Sequence, residues 1–181
     1  MDEKEKINNL AKTFYKGLIQ IGYKGLKSVF GITPQIYSRD KIFNFLYSNG
    51  FNKVGNFSLS DENYYLEDWE IWKNLIDIDW VEEHPYYKDK FDCDNFAMYF
   101  ASNVAFIYEL NSCGVAYGNV YNKDTGKLID GHVFNLIIAL ENNVPALFLF
   151  EPMKRKWIKW DKNGDNIIDN LRYEINWILF Y

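Results

Sequence analysis

Apolar and polar positions along this chain change period once, near residue 110, from helical spacing to strand spacing. Upstream, Leu10, Phe14, Leu18, Ile21 and Leu26 recur at three- to five-residue steps with lysines between them. That spacing predicts one or two amphipathic helices over residues 3–29. Gly31 and Pro34 end the run, and Ser38-Arg39-Asp40 supplies a new helix start. Ile42, Phe45 and Leu46 give this second helix, residues 41–48, one apolar face, and Asn49-Gly50 closes it. Trp69, Trp72, Leu75 and Ile76 repeat the helical spacing behind Glu67-Asp68. His84-Pro85 interrupts it, because a residue before proline is pushed out of the α region. The remainder of 51–90 is aromatic, acidic and loop-rich.

From Asp92 onward the pattern sharpens. Phe96, Tyr99, Phe100, Asn103, Val104 and Ile107 mark one face of a helix that runs to about Leu110. Residues 115–121, 132–140, 145–151, 156–160 and 171–181 then read as strands. Turn chemistry separates them at Asn122-Lys123-Asp124-Thr125-Gly126, at Glu141 to Val144, and at Asp161-Lys162-Asn163-Gly164-Asp165. There is no internal repeat and no low-complexity tract. The expected architecture is α+β, with one helix packed on an antiparallel sheet of four to six strands. Residues 51–181 form the main domain and residues 1–50 an N-terminal helical extension. That extension reads as a cap on the main domain, and a docking arm for a partner is the other use of its helices.

Composition narrows the function classes. The chain has 181 residues, 48% of them hydrophobic and 19% aromatic, which excludes a disordered chain. A net charge of −5 offers no field for nucleic acid or anionic membrane, so neither is an expected partner. Lys154, Arg155, Lys156 and Lys159 are the one basic cluster, read as a solvated strand rim. No stretch approaches the roughly 20 apolar residues of a membrane span. Two cysteines, Cys93 and Cys113, behind a charged start without a signal-type apolar core argue for a reducing compartment. A cytoplasmic protein is expected, or a virion-associated one.

The candidate chemistry lies in three short segments. Phe91-Asp92-Cys93-Asp94-Asn95-Phe96-Ala97 sets Cys93 in the first turn of a helix behind the N-cap residue Asp92. Unpaired N–H groups and the helix dipole favour a thiolate there. Asp92 and Asp94 oppose it, so a histidine partner or a bound cation must offset them. Gly131-His132 opens a strand and Phe150-Glu151-Pro152 closes the next. If the hairpin turn centres between Glu141 and Asn142, His132 and Glu151 lie directly opposite one another. If Asn142-Asn143 is the central pair, they lie diagonally. Either register puts both on one face, with Cβ atoms about 4.5–8 Å apart. Thiol, imidazole and carboxylate in that arrangement are the parts of a nucleophilic cysteine site.

These three segments, extended through Gly131-His132-Val133-Phe134-Asn135, resemble the papain-like C-terminal domain of the fairy-ring mushroom agglutinin. Related sequences of that cysteine-peptidase family occur in bacteria and their phages. The resemblance covers about residues 85–160 and implies a papain-like fold. Cys93 would be the nucleophile, His132 the general base and then acid, and Glu151 the residue that orients His132. It also implies a calcium ion beside the nucleophile, with Asp94 as a ligand and Asp92 beside it, and a protein or peptide substrate. Where the family usually carries glutamine after the proline, this chain has Met153, which weakens the calcium site. No glutamine shortly before Cys93 completes an oxyanion hole, and Tyr86, Tyr87 or His84 is left to stand in beside the Cys93 N–H. The lectin's sugar-binding β-trefoil has no counterpart in these residues, so nothing in the resemblance implies carbohydrate binding.

The functional expectation is a cysteine peptidase-like thiol hydrolase working through an acyl-enzyme, acyl transfer to another acceptor being the same chemistry. The competing expectation is a catalytically silent structural or adaptor protein, in the manner of a phage virion component, that keeps the fold. Cys113 and His84 read as an inert thiol and a loop residue. Asp161, Asn163, Asp165 and Asp169 read as a turn, because Asn166 and Arg172 occupy the positions where a calcium loop needs glycine and glutamate.

Overall fold

A computed structural model describes residue 22, residues 25–52 and residues 56–181. The expected helix over 3–29 falls mostly outside these residues. Within them, residues 25–29 are helical and end at Gly31, whose φ of +61° suits glycine. Two compact units divide at Ile32/Thr33 rather than at the expected residue 50. The second unit therefore begins earlier than composition suggested, because residues 33–50 carry part of its core.

In chain order this unit contains β1 (Gln35–Ser38), α1 (Arg39–Ser48), β2 (Phe57–Leu59), β3 (Asn63–Leu66) and α2 (Trp69–Ile78). There follow α3 (Cys93–Tyr108), β4 (Cys113–Asn122), β5 (Leu128–Glu141), β6 (Val144–Glu151), β7 (Lys156–Lys159), β8 (Ile167–Ile168) and β9 (Leu171–Phe180). The seven-stranded sheet runs β2-β9-β4-β5-β6-β7, with β8 also on β9, and β1 pairs with β3 in a small separate sheet. The α+β expectation holds. The all-antiparallel expectation does not, because β2 runs parallel to β9.

Side-chain alternation sorts the layers. From β5 and β6, Phe134, Leu136, Ile138, Leu140, Leu147 and Leu149 face one core, shared with Ile42 and Leu46 of α1 and Tyr64 and Leu66 of β3. Helix α1 thus contributes part of this core. On the other face Phe150 packs on Phe100 of α3, and Phe148 stacks on Trp69 of α2 at 3.6 Å. Asn135 is fully buried here, donating from Nδ2 to the carbonyls of Ala97 in α3 (2.9 Å) and Gly114 in β4 (3.2 Å). One amide therefore ties α3 to the sheet beneath it.

Two irregularities set positions near the sheet's end. Asn142 and Asn143 both adopt positive φ (54° and 64°), the geometry of a tight hairpin turn matched to strand twist. With that pair central, β5 and β6 register as Asn135↔Phe150 through Glu141↔Val144. On β9 the pairing with β4 skips Asn176, a β-bulge between Trp177 and Ile175. The bulge reverses the alternation, so Tyr173 and Ile178 both reach the same core. Gly118 sits at this bulge and pairs with His132 on its other side; a Cβ there would meet the Glu174 carbonyl at 1.9 Å.

Candidate functional site

Cys93, His132 and Glu151 come together at one pocket of about 450 Å³. Cys93 is the first residue of α3 and is partly accessible. Asn95 fixes this helix start by accepting from the Asp92 N–H through Oδ1 at 3.2 Å. Asp94 Oδ1 accepts from Asn95 N, and Asp92 Oδ2 accepts from Asp89 N.

His132 stands on the core face of β5, and its Nε2 donates to Glu151 Oε2 at 2.6 Å. The ladder between β5 and β6 places them diagonally, the second of the two expected registers. Nε2 is committed to the carboxylate, and the Cys93 thiol lies close enough to the imidazole to favour its charged form. Burial disfavours charge on His132, but the bonds and charges of Cys93 and Glu151 outweigh it and push the imidazole up to about 9.

Glu151 is 1% exposed, so its carboxylate needs partners in the protein. Three groups donate to it: His132, the Met153 N–H on Oε1 at 3.2 Å, and the Tyr173 hydroxyl on Oε2 at 3.0 Å. Tyr173 is the site residue that the sequence reading missed. Its ring packs edge-on against Phe134 beside His132. No local motif marks it, since the β9 bulge hides its inward orientation.

Of the three substitutes for an oxyanion-hole side chain, Tyr86 alone lines the pocket. His84 bonds the Pro85 carbonyl through Nδ1 at 2.9 Å and lies on Phe91, as a loop residue would. Tyr87 closes a turn with Phe91. Asp89, Asp92 and Asp130 surround the Tyr86 phenol with negative charge. Lys154 also lines the pocket and pairs with Asp169 at 3.5 Å.

The basic cluster is only partly a free rim. Arg155 turns back to bond the Asp79 carbonyl at the end of α2 and to pair with Glu82. Lys156 pairs with Asp169 and Lys159 with Glu141. Cys113 is buried, which pushes its thiol up and away from reactivity. The 161–165 segment closes as a turn, with Asn166 bonding both the N–H and the carbonyl of Asp161.

The calcium expectation meets a thin donor set. Asp92 and Asp94 share a hydrogen bond that holds the Asp92 carboxyl below its ordinary range and pushes the Asp94 carboxyl up. Among the described residues, no group of three or more His, Cys, Asp or Glu side chains could hold a metal. Calcium takes six to eight oxygens, and Met153 offers a thioether where the resemblance expects an amide.

No family model matches the chain, and no curated protein matches it. Solved structures do. One is a PSL1a–E64 complex, at 21% identity and a TM-score of 0.56, covering 80% of this chain and 50% of that one. Another is Polyporus squamosus lectin bound to a human-type influenza-binding epitope, at 19% identity and a TM-score of 0.58, covering 80% and 49%. This chain spans about half the length of each. At such identities the likeness is one of fold.

Proposed function

We propose that this chain is a cysteine hydrolase of papain-like architecture, with Cys93 as nucleophile, His132 as base and acid, and Glu151 as the carboxylate that orients His132. One observation supports the reading: an imidazole bonded to a buried carboxylate lines the same pocket as a partly accessible thiol that favours its charged form. A buried Glu–His pair is costly as core structure, and it gains a purpose when the second ring nitrogen faces a nucleophile.

The chemistry follows from the geometry. His132 takes the Cys93 proton, and the sulfur adds to a peptide or related acyl carbonyl. The tetrahedral oxyanion lies near the Cys93 backbone N–H, which has no intrahelical partner in the first turn. Collapse breaks the bond to the leaving amine, which receives the proton from His132. Water, deprotonated by His132, then releases the acid and regenerates the thiol; an amine acceptor in place of water makes the same step an acyl transfer. The glycan-bound neighbour is a chain of about twice the matched length. A thiol–imidazole–carboxylate pocket favours acyl chemistry instead.

Labelling tests this directly. Iodoacetamide and E64, an epoxide, should modify Cys93 at neutral pH and leave Cys113 untouched, as read by mass spectrometry. Cys93→Ala should abolish the label and His132→Ala should reduce it sharply. A Cys93 no more reactive than a free thiol would instead favour the silent adaptor reading.

A further inference from the structure

Tyr173 has no place in the three-residue reading, yet it touches Glu151 directly. Its hydroxyl donates to Glu151 Oε2, the same oxygen that receives His132 Nε2. The residue is 2% exposed, and among the described residues its phenolic O–H donates to Glu151 alone. The Met153 N–H holds the second oxygen, so the carboxylate is pinned at both ends. The two pins differ in origin. Met153 follows Glu151 in the same turn, whereas Tyr173 comes from β9, two strands beyond β5 in the sheet.

We propose that Tyr173 is a positioning residue, whose hydroxyl fixes the rotamer of Glu151 and so keeps His132 aimed at Cys93. The proposal rests on the hydrolase reading for its kinetic consequence, but the hydrogen-bonded arrangement can be tested without it. A carboxylate on a flexible side chain has several rotamers, and only one points Oε2 at His132. A single backbone N–H on Oε1 leaves rotation about the terminal bond. A donor on Oε2 from a rigid, buried ring removes that freedom. The β9 bulge is what aims it, because without the skipped Asn176 the strand would turn Tyr173 to the opposite face from Ile178.

Tyr173→Phe keeps the ring and its packing on Phe134 and removes only the hydroxyl. Two readouts on the full chain are compared at one fixed pH near neutrality. The first is the Cys93 alkylation rate with iodoacetamide in wild type, Tyr173→Phe, Glu151→Gln and the double variant. Loss of a hydrogen bond to a charged group should slow Tyr173→Phe by about tenfold. In the Glu151→Gln background the same change should alter the rate by less than about twofold, because a residue acting through Glu151 has nothing left to act on. The second is the downfield proton resonance of the His132 Nε2–H bonded to Glu151, assigned by its loss in His132→Ala. It should shift or broaden in Tyr173→Phe.

An unchanged resonance together with a wild-type alkylation rate would overturn the proposal. So would equal slowing in both backgrounds, which is the mark of a packing role. If wild-type Cys93 is unreactive, the hydrolase reading fails, and the His132 resonance alone decides for or against Tyr173.

Discussion

His132 Nε2 and Glu151 Oε2 stand 2.6 Å apart although the two residues are not paired across the strands. The ladder between β5 and β6 ends at Asn135↔Phe150, which sets Glu151 level with Phe134 and leaves His132 one alternation further out. The imidazole reaches diagonally toward the carboxylate, across the end of the ladder.

Glu151→Gln keeps the shape and removes the charge. The His132 imidazole, pushed up to about 9 with Glu151 among its causes, should fall toward the ordinary range near 6.5. Histidine resonances followed through a pH titration read the change. Glu151→Ala should do worse: it strands the Tyr173 hydroxyl, the Met153 N–H and the His132 N–H in a buried space, at a cost of about 3–5 kcal/mol. Thermal melts of the two variants separate these effects.

Stability should depend on pH through the same group. Folded His132 binds its proton more tightly than the unfolded chain does, about 9 against 6.5. Its stabilisation is therefore complete below about pH 6.5 and is lost as pH rises through 9. The difference in melting temperature between wild type and His132→Asn should shrink across that window. A difference that stays flat would mean His132 is not held charged.

Much of this site was legible because it is local. A helix cap before Cys93, a histidine at a strand start and a glutamate at a strand end each carry a short-range signature. The turn at Asn142-Asn143 relates the last two by counting alone. The strands of the meander from β4 to β6 were legible for the same reason, since alternation and turn residues both mark them. What escaped depends on distant parts of the chain. Tyr173 faces Glu151 only because β9 skips Asn176 against β4. Strands β1 and β3 pair across an intervening helix, and β2 joins β9 from more than a hundred residues away. Arg155 looked like part of a basic rim because its carbonyl partner, Asp79, lies far off in sequence.

Asn135 anchors the nucleophile helix, and the sign of its substitutions should reveal how. Its Nδ2 donates to Ala97 and Gly114 carbonyls, while its buried Oδ1 has no hydrogen-bond partner among the described residues. Asn135→Leu should cost about 1–2 kcal/mol, a fall of several degrees in melting temperature for a domain of this size. Asn135→Asp, although nearly isosteric, should cost more, because it sets a carboxylate against two carbonyl oxygens. Thermal melts would check the order, and a milder Asp variant would contradict the donor role.

Gly118 and Gly131 sit on adjacent rungs of the β4–β5 ladder but differ in the space around them. A Cβ on Gly118 would meet the Glu174 carbonyl at 1.9 Å, whereas one on Gly131 would come no closer than 4.0 Å to Gly118 O. Gly118→Ala must therefore push β9 away from β4 at the bulge that orients Tyr173, and should lose soluble folded protein or several degrees of stability. Gly131→Ala should fold normally. Comparing the two by circular dichroism and thermal melting isolates the close approach from any general intolerance of side chains beside His132.

Calcium offers the last test, and the donor set decides its direction. Asp92 and Asp94 each commit an oxygen to a backbone N–H, and they hydrogen-bond each other. Among the described residues no third acidic or imidazole group joins them in a cluster. Glu151, meanwhile, is already held by Tyr173, Met153 and His132, so the orientation of His132 needs no ion. The rate of Cys93 alkylation should therefore change by less than about twofold between excess chelator and millimolar calcium, and the melting temperature should not move, since an ion that binds the folded state must raise it. A calcium-dependent rise in both would show that Asp92 and Asp94 recruit backbone oxygens and water to complete a site, and that the ion, rather than Tyr173, organises the pocket.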